Sequence, residues 1–168
     1  MIRENQQERI NVIEFSYLAG IIDGEGTITV KESGILKETR RYHITPSVVI
    51  VNTSEDLINW IHTFLSSQMI GHYIHQKKEK ENRRKIFRVI IKGSSRVLKL
   101  LEEVHPFLII KKKQSEIVQE LCKRKLVREH IRTQSEVDSD KRVLEQIRMI
   151  NRRLLSSETT RSQPVIGL

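Results

Sequence analysis

The stretch that decides the fold is Leu18-Ala19-Gly20-Ile21-Ile22-Asp23-Gly24-Glu25-Gly26. Apolar residues in and before it recur at helical spacing, which predicts a helix from about Glu14 to Gly24. Gly20 and Gly24 lie four residues apart and therefore share one helix face, where another backbone could approach closely. The predicted helix therefore has a surface suited to packing against a second helix.

Two acids stand at the end of this predicted helix, where the helix dipole disfavours anions. Asp23 and Glu25 in that position need a compensating cation, and a divalent metal held by carboxylate, backbone carbonyl and water is the obvious candidate. If two copies of the helix packed on their glycines, the two Glu25 side chains would come together. Paired metals about 4 Å apart are an arrangement that cleaves phosphodiesters.

Strands and helices alternate on the C-terminal side of this helix. The sequence predicts an α+β domain with the order α-β-β-α-β-β-α, followed by two further helices. Thr53 with Asp56 has the form of a capping box, and Pro106 ends the third helix. After the first helix, the predicted elements are strands at about 27–30 and 44–52, a helix after 53, strands at 72–76 and 86–92, and helices at 94–105, 111–131 and 138–155. Residues 1–13 are predicted to be a short helix or arm, 14–155 a single domain and 156–168 a loose tail.

The motif and the order of elements resemble the LAGLIDADG homing endonucleases, which are site-specific DNA nucleases encoded in mobile introns and inteins. The resemblance spans most of residues 14–130 and includes an antiparallel sheet that forms a DNA-binding saddle. It implies a long, roughly two-fold-symmetric double-stranded DNA target and Mg²⁺, or another divalent cation such as Mn²⁺, as cofactor. Glu25 stands where the family name has Asp, and the family uses either acid. The motif occurs once, and single-motif members form homodimers.

The resemblance also assigns roles to individual residues. Glu25 would be catalytic and would bind metal together with the Gly24 carbonyl, while Asp23 would be mainly structural. Asn52 would order solvent near the scissile phosphate, or else cap the following helix. Lys111 would stabilise phosphate charge, or else be a solvated start of a basic helix, with Lys113 the next candidate. The expected dimer interface comprises Leu18, Ala19, Gly20, Ile22, Asp23 and Gly24.

The strands of the sheet would read the DNA from the major groove. Alternation places Ile28 and Val30 toward the core in the first strand, and Ile44, Val48 and Ile50 in the second, so the residues between them face outward. In the later strands both faces carry apolar residues, and the alternation is ambiguous there. The expected DNA contacts are Thr27, Thr29, Lys31, Ser33, Arg40, Arg41, His43, Thr45, Ser47, Gln76 and Arg88.

Composition agrees with a polyanionic partner. The 168 residues include 30 Lys and Arg against 21 Asp and Glu, which gives a net charge of +9. The basic residues between 76 and 93 flank strand-like sequence, which argues against a peripheral membrane helix. Without an apolar run of about 18 residues or a signal-peptide pattern, the chain is expected to be soluble and intracellular, acting with DNA in the cytoplasm, nucleoid or an organelle. Cys122 is the only cysteine, which excludes intrachain disulfides and Cys-cluster zinc sites, and we expect it to be a core thiol.

The sequence therefore predicts a homodimeric, Mg²⁺-dependent, site-specific double-strand DNA endonuclease. One alternative is a non-cleaving binder of the same fold, either an intron RNA maturase or a DNA-binding regulator. The other is a scaffold in which the glycine helix only drives dimerisation. Loss of Mg²⁺-dependent cleavage in Glu25→Gln, with DNA binding retained, would separate the enzyme from both.

Overall fold

The computed structural model describes residues 2–32, 43–77, 85–127 and 133–161. It contains α1 (Ile2–Glu25), β1 (Gly26–Glu32), β2 (Ile44–Asn52), α2 (Glu55–Ser67), β3 (Tyr73–Lys77), β4 (Ile86–Lys92), α3 (Ser94–Val104), a 3-10 turn (His105–Phe107), α4 (Lys112–Leu126) and α5 (Gln134–Arg161). The predicted α+β class and element order are confirmed. Within the described ranges, no helix has the length and hydropathy needed to cross a lipid bilayer.

The four strands form one antiparallel sheet in the order β1-β2-β4-β3. Its inner face packs against the helices, and the strand residues on that face include the fully buried Ile28, Val48, Ile50, Val89 and Ile91. The helices contribute Leu18, Ile22, Ile61, Leu65, Leu100, Leu101 and Val118 to the same cluster. The opposite face, called the outer face below, carries the residues that alternate with the buried ones.

Helix α1 is longer than predicted, because it begins at Ile2 and runs for 24 residues without a break. One stripe, which includes Phe15, is buried against the sheet and the other helices. The opposite stripe is exposed and comprises Ile13, Tyr17, Gly20 and Gly24. We call these four residues the glycine face.

The two C-terminal helices pack beside the first strand. Arg124 of α4 donates a hydrogen bond to Ser139 at 3.0 Å and one to the fully buried Asp140 carboxylate of α5 at 2.8 Å. Further along α5, Asn151 Nδ2 donates to the Ile28 carbonyl of β1 at 3.2 Å. Helix α5 also runs longer than predicted, through Arg161, so the first part of the expected tail is helical. Helix α4 ends at Leu126, and residues 128–132 lie outside the described ranges.

Cys122 lies within α4 and is fully buried, as predicted for a core thiol. Burial raises the pKa of this thiol to about 12, although the nearby Lys125 acts in the opposite direction. A thiol with so high a pKa is protonated at neutral pH and is a poor nucleophile.

Candidate active site and nucleic-acid interface

The C-terminal end of α1 is held by reciprocal hydrogen bonds with the segment that precedes α4. The Asp23 carboxylate accepts the backbone N–H groups of Ile109 (2.7 Å), Ile110 (3.2 Å) and Lys111 (2.9 Å). In return, Lys111 Nζ donates to the Asp23 carbonyl at 2.5 Å. Both residues are only 9% exposed. We call this arrangement the Asp23–Lys111 clasp, and it sets the direction in which the chain leaves the helix.

Gly26 allows the chain to turn from α1 directly into β1. A Cβ atom at this position would lie 2.7 Å from Ile22 Cα and 2.8 Å from the Ile22 carbonyl oxygen. Both atoms belong to the backbone and cannot move aside, so the site requires glycine. The tight turn places Glu25 at the junction of α1 and the sheet.

Asn52 holds the carboxylate of Glu25. Its Nδ2 donates to Glu25 Oε2, while its Oδ1 accepts the backbone N–H of Ser54 at 2.7 Å. The N-cap of α2 is Ser54, whose hydroxyl accepts from the Leu57 N–H at 3.3 Å. The predicted capping box beginning at Thr53 is therefore wrong, and Asn52 does not cap α2. With both ends of its amide engaged, Asn52 is positioned to orient Glu25.

A cleft of about 210 Å³ opens beside the end of α1, with Glu25 and Lys111 in its wall. Its other lining residues are Gly24, Gly26, Thr27, Ile110, Asn151 and Leu154. The described residues contain no group of three or more His, Cys, Asp and Glu that could hold a metal. The donors at the cleft are instead one exposed carboxylate, Glu25, and the backbone at the helix end, and such hard oxygen donors suit Mg²⁺ or Ca²⁺.

The residues of the predicted dimer interface lie in two different environments in the protomer. Leu18, Ala19 and Ile22 are completely buried within the protomer, and Asp23 belongs to the clasp. Gly20 and Gly24 are exposed, and a Cβ atom at either would meet nothing within 4 Å. The difference follows from helical geometry, because a residue next to a glycine in sequence points about 100° away from it, and one two positions away points about 160° away.

Ile13 and Tyr17 were missed as members of the exposed face. They precede Gly20 and Gly24 by seven residues each, which is two helical turns, and they are 66% and 56% exposed. This spacing was readable from the sequence.

The first two strands largely follow the predicted alternation. Thr27, Thr29 and Lys31 lie on the outer face as predicted, as does the half-buried Thr45. Ser47 also lies on that face but is only 3% exposed, because its small side chain sits between its cross-strand neighbours Thr29 and Lys92. His43 is half-buried just before β2, while Ser33, Arg40 and Arg41 lie outside the described residues.

In β3 and β4, the cross-strand register shows which residues share a face. Arg88, whose face the alternation left open, lies on the outer face opposite Val51 and His75. Gln76 pairs with the buried Phe87 and therefore lies on the inner side of the edge strand, where it is exposed and does not share the outer face with Arg88. The outer face also carries Tyr73, His75 and Lys92, which the sequence did not single out.

A family model matches part of this sequence, and solved structures share its fold. Residues 13–105 match the family model of the LAGLIDADG-like domain. Comparison with curated proteins found no match. The fold is similar to that of the homing endonuclease I-CvuI in complex with its target, with a TM-score of 0.66, 16% identity and coverage of 83% of each chain.

Two further structures were solved with DNA. An archaeal intron-encoded homing endonuclease has a TM-score of 0.59 and 16% identity, and the match covers 83% of this chain and 97% of that one. The homing endonuclease I-LtrWI, bound to target DNA, has a TM-score of 0.63 and 15% identity, with coverage of 77% of this chain and 42% of that one. At these identities the likeness establishes the shared fold.

Proposed function

The chain belongs to the LAGLIDADG-like family, and on that premise we propose that it is a homodimeric, Mg²⁺-dependent, site-specific double-strand DNA endonuclease of the homing type. The observation that carries the proposal is the position of Glu25. This exposed carboxylate is oriented by Asn52, lines a cleft with Lys111, and stands where the glycine face meets the sheet. The site thus combines an acid, a buried cation and a surface on which a second copy could bind.

The glycine face supports dimerisation because it exposes apolar and small residues together. Ile13 and Tyr17 are more than half exposed, and Gly20 and Gly24 leave room for another backbone. Packing this face against a second copy would bring the two Glu25 carboxylates to one axis. Each protomer then contributes one acid to a site that acts on both DNA strands.

Glu25 and the Gly24 carbonyl would hold the Mg²⁺ ion, or Mn²⁺ in its place. When bound, such an ion supplies an activated water and neutralises charge that develops on the phosphate. Asn52 keeps the carboxylate of Glu25 directed into the cleft. Lys111 fixes the end of α1 through the clasp and places a positive charge in the cleft wall.

The outer face of the sheet would lie along the DNA major groove, with Lys31, Arg88 and Lys92 exposed on it. Each chain carries +9, so a dimer carries +18, and affinity should fall steeply as salt is raised. We place its activity inside the cell, where its DNA substrate is found.

The test is digestion of long randomised DNA duplexes by the purified protein, with and without Mg²⁺. We expect wild type to cut one long, roughly two-fold-symmetric site only with metal, and Glu25→Gln to bind that site without cutting it. Glu32→Gln, which changes an exposed acid at the opposite end of β1, is the matched control and should cut like wild type. Equal cleavage by Glu25→Gln and wild type would contradict the assignment.

A non-cleaving binder of the same fold is the second candidate. The observation that favours it is the engagement of the Lys111 ammonium with the Asp23 carbonyl, since a group so bound is less available to a phosphate. This candidate predicts binding to duplex DNA or intron RNA with no cleavage in any divalent metal. A gel shift and a cleavage assay on the same samples distinguish the two.

A further inference from the structure

The outer face of the sheet carries apolar side chains at its centre. Val49 and Ile90 lie directly opposite each other on β2 and β4, and Val51 follows two residues along β2. Val51 is 39% exposed, and the other two are half-buried. We call these three residues the apolar strip. The inner face has its own apolar set, so the strip is not needed to complete the core.

Polar and charged residues surround the strip on the same face. The cross-strand row that contains Val49 and Ile90 ends in Thr27 on one side and Tyr73 on the other. The row that contains Val51 continues to Arg88 and His75. The row on the other side of Val49 and Ile90 contains Ser47 and Lys92. A solvated face of an antiparallel sheet normally presents polar residues, so the apolar centre is a departure that calls for a partner.

We propose that the apolar strip reads the 5-methyl groups of thymine in the major groove of each DNA half-site. This inference rests on the proposed function, because it requires the outer face to lie in the groove. The thymine methyl is the apolar group that base pairs present there. Val and Ile offer no hydrogen bond, so a base edge rich in donors and acceptors would lose water without replacement when it faces them.

The size of the strip fixes how many base pairs it can read. Rows on one face of a strand are about 7 Å apart, which corresponds to about two base-pair steps. The strip should therefore select two A·T or T·A pairs in each half-site, separated by about one base pair. At base pairs that lie nearer Arg88 and Lys92, we instead expect a preference for guanine, whose major-groove edge accepts hydrogen bonds from such side chains.

The test begins with metal-free selection of bound duplexes from a randomised library by wild-type protein. The selected site is then synthesised with single thymines replaced by uracil, which removes the methyl and leaves base pairing unchanged. We expect binding to weaken about fourfold per methyl at one or two positions in each half-site. At those positions, a 5-methylcytosine·guanine pair should bind more tightly than a cytosine·guanine pair.

Variants connect the effect to the strip. In Val49→Ser and Ile90→Ser, which remove the methyl groups of the strip, replacing thymine by uracil should no longer weaken binding. If either variant melts well below wild type, Val51→Ser at the most exposed strip position replaces it. Lys31→Ala is the matched control, since loss of a phosphate or base contact there should weaken binding and leave the cost of uracil unchanged.

Four results would overturn the inference. If replacing thymine by uracil weakens binding at no position, thymine reading is refuted while DNA binding stands. The same holds if the replacement weakens binding by every strip variant as much as binding by wild type. Equal binding of cytosine and 5-methylcytosine at the same positions would also refute thymine reading. Failure of wild type to retain any duplex would refute the proposed function together with this inference.

Discussion

Removal of the Asp23 carboxylate should destabilise the protein strongly, because three backbone N–H groups converge on it. Hydrogen bonds to charged groups contribute about 1.5–3 kcal/mol each. Ile109 and Ile110 are exposed, so water can replace the carboxylate at their N–H groups and each of these two bonds should contribute only about 0.5 kcal/mol. The N–H of Lys111 is buried and loses more. We expect Asp23→Ala to lower the free energy of unfolding by about 3 kcal/mol.

Asp23→Asn should cost less and so provides a graded comparison. An amide oxygen can still accept from Ile109 and Ile110, but the amide NH₂ would then face the N–H of Lys111, donor against donor. The expected loss is about 1–2 kcal/mol.

Urea unfolding followed by circular dichroism measures these differences, with thermal melting as a second readout. A loss of about 3 kcal/mol corresponds to a decrease in Tm of about 6–12 °C for a chain of this size. Measurements at two protein concentrations separate the stability that the clasp contributes from any stability due to dimerisation, because only the latter depends on concentration. The control is Glu103→Ala, which removes an exposed acid of α3. If Asp23→Ala is no less stable than this control, the clasp does not hold the end of α1.

Four other perturbations have defined outcomes. Cys122, with its pKa raised to about 12, should resist a thiol reagent at pH 8 until urea unfolds the protein, and rapid labelling of the native state would contradict its burial. Arg124→Ala should lower the free energy of unfolding by about 3 kcal/mol, since it leaves the buried Asp140 carboxylate without this partner; a urea curve that matches wild type would refute that. Gly20→Leu should give a monomer of native fold by light scattering, and a dimeric Gly20→Leu protein would exclude the glycine face as the interface. Gly26→Ala should lower Tm, because its Cβ atom would overlap the backbone of Ile22.

The motif and the strand alternation were enough to predict most of the fold. Helical spacing located α1 and its glycines, and the period of two placed Thr27, Thr29 and Lys31 on the outer face. These signals are local, since each depends only on residues within a few positions along the chain. The end of β2 at Asn52 was predictable for the same reason.

Features that depend on distant partners were not predictable. The faces of Gln76 and Arg88 follow from the register between β3 and β4, which apolar residues on both faces conceal in the sequence. The engagement of Lys111 with Asp23 joins residues 88 positions apart. The full length of α1 was also missed, since its polar first turns have no amphipathic pattern to mark them as helix.

Helix α5 protects the first edge of the sheet. An edge strand offers unpaired backbone groups on which another chain can add a strand, and Asn151 occupies one of these by donating to the Ile28 carbonyl. Molecules of this protein are thereby discouraged from joining sheet to sheet along β1. A chain truncated before Asn151 would retain the glycines and acids of α1 and yet would be prone to fibrous aggregation.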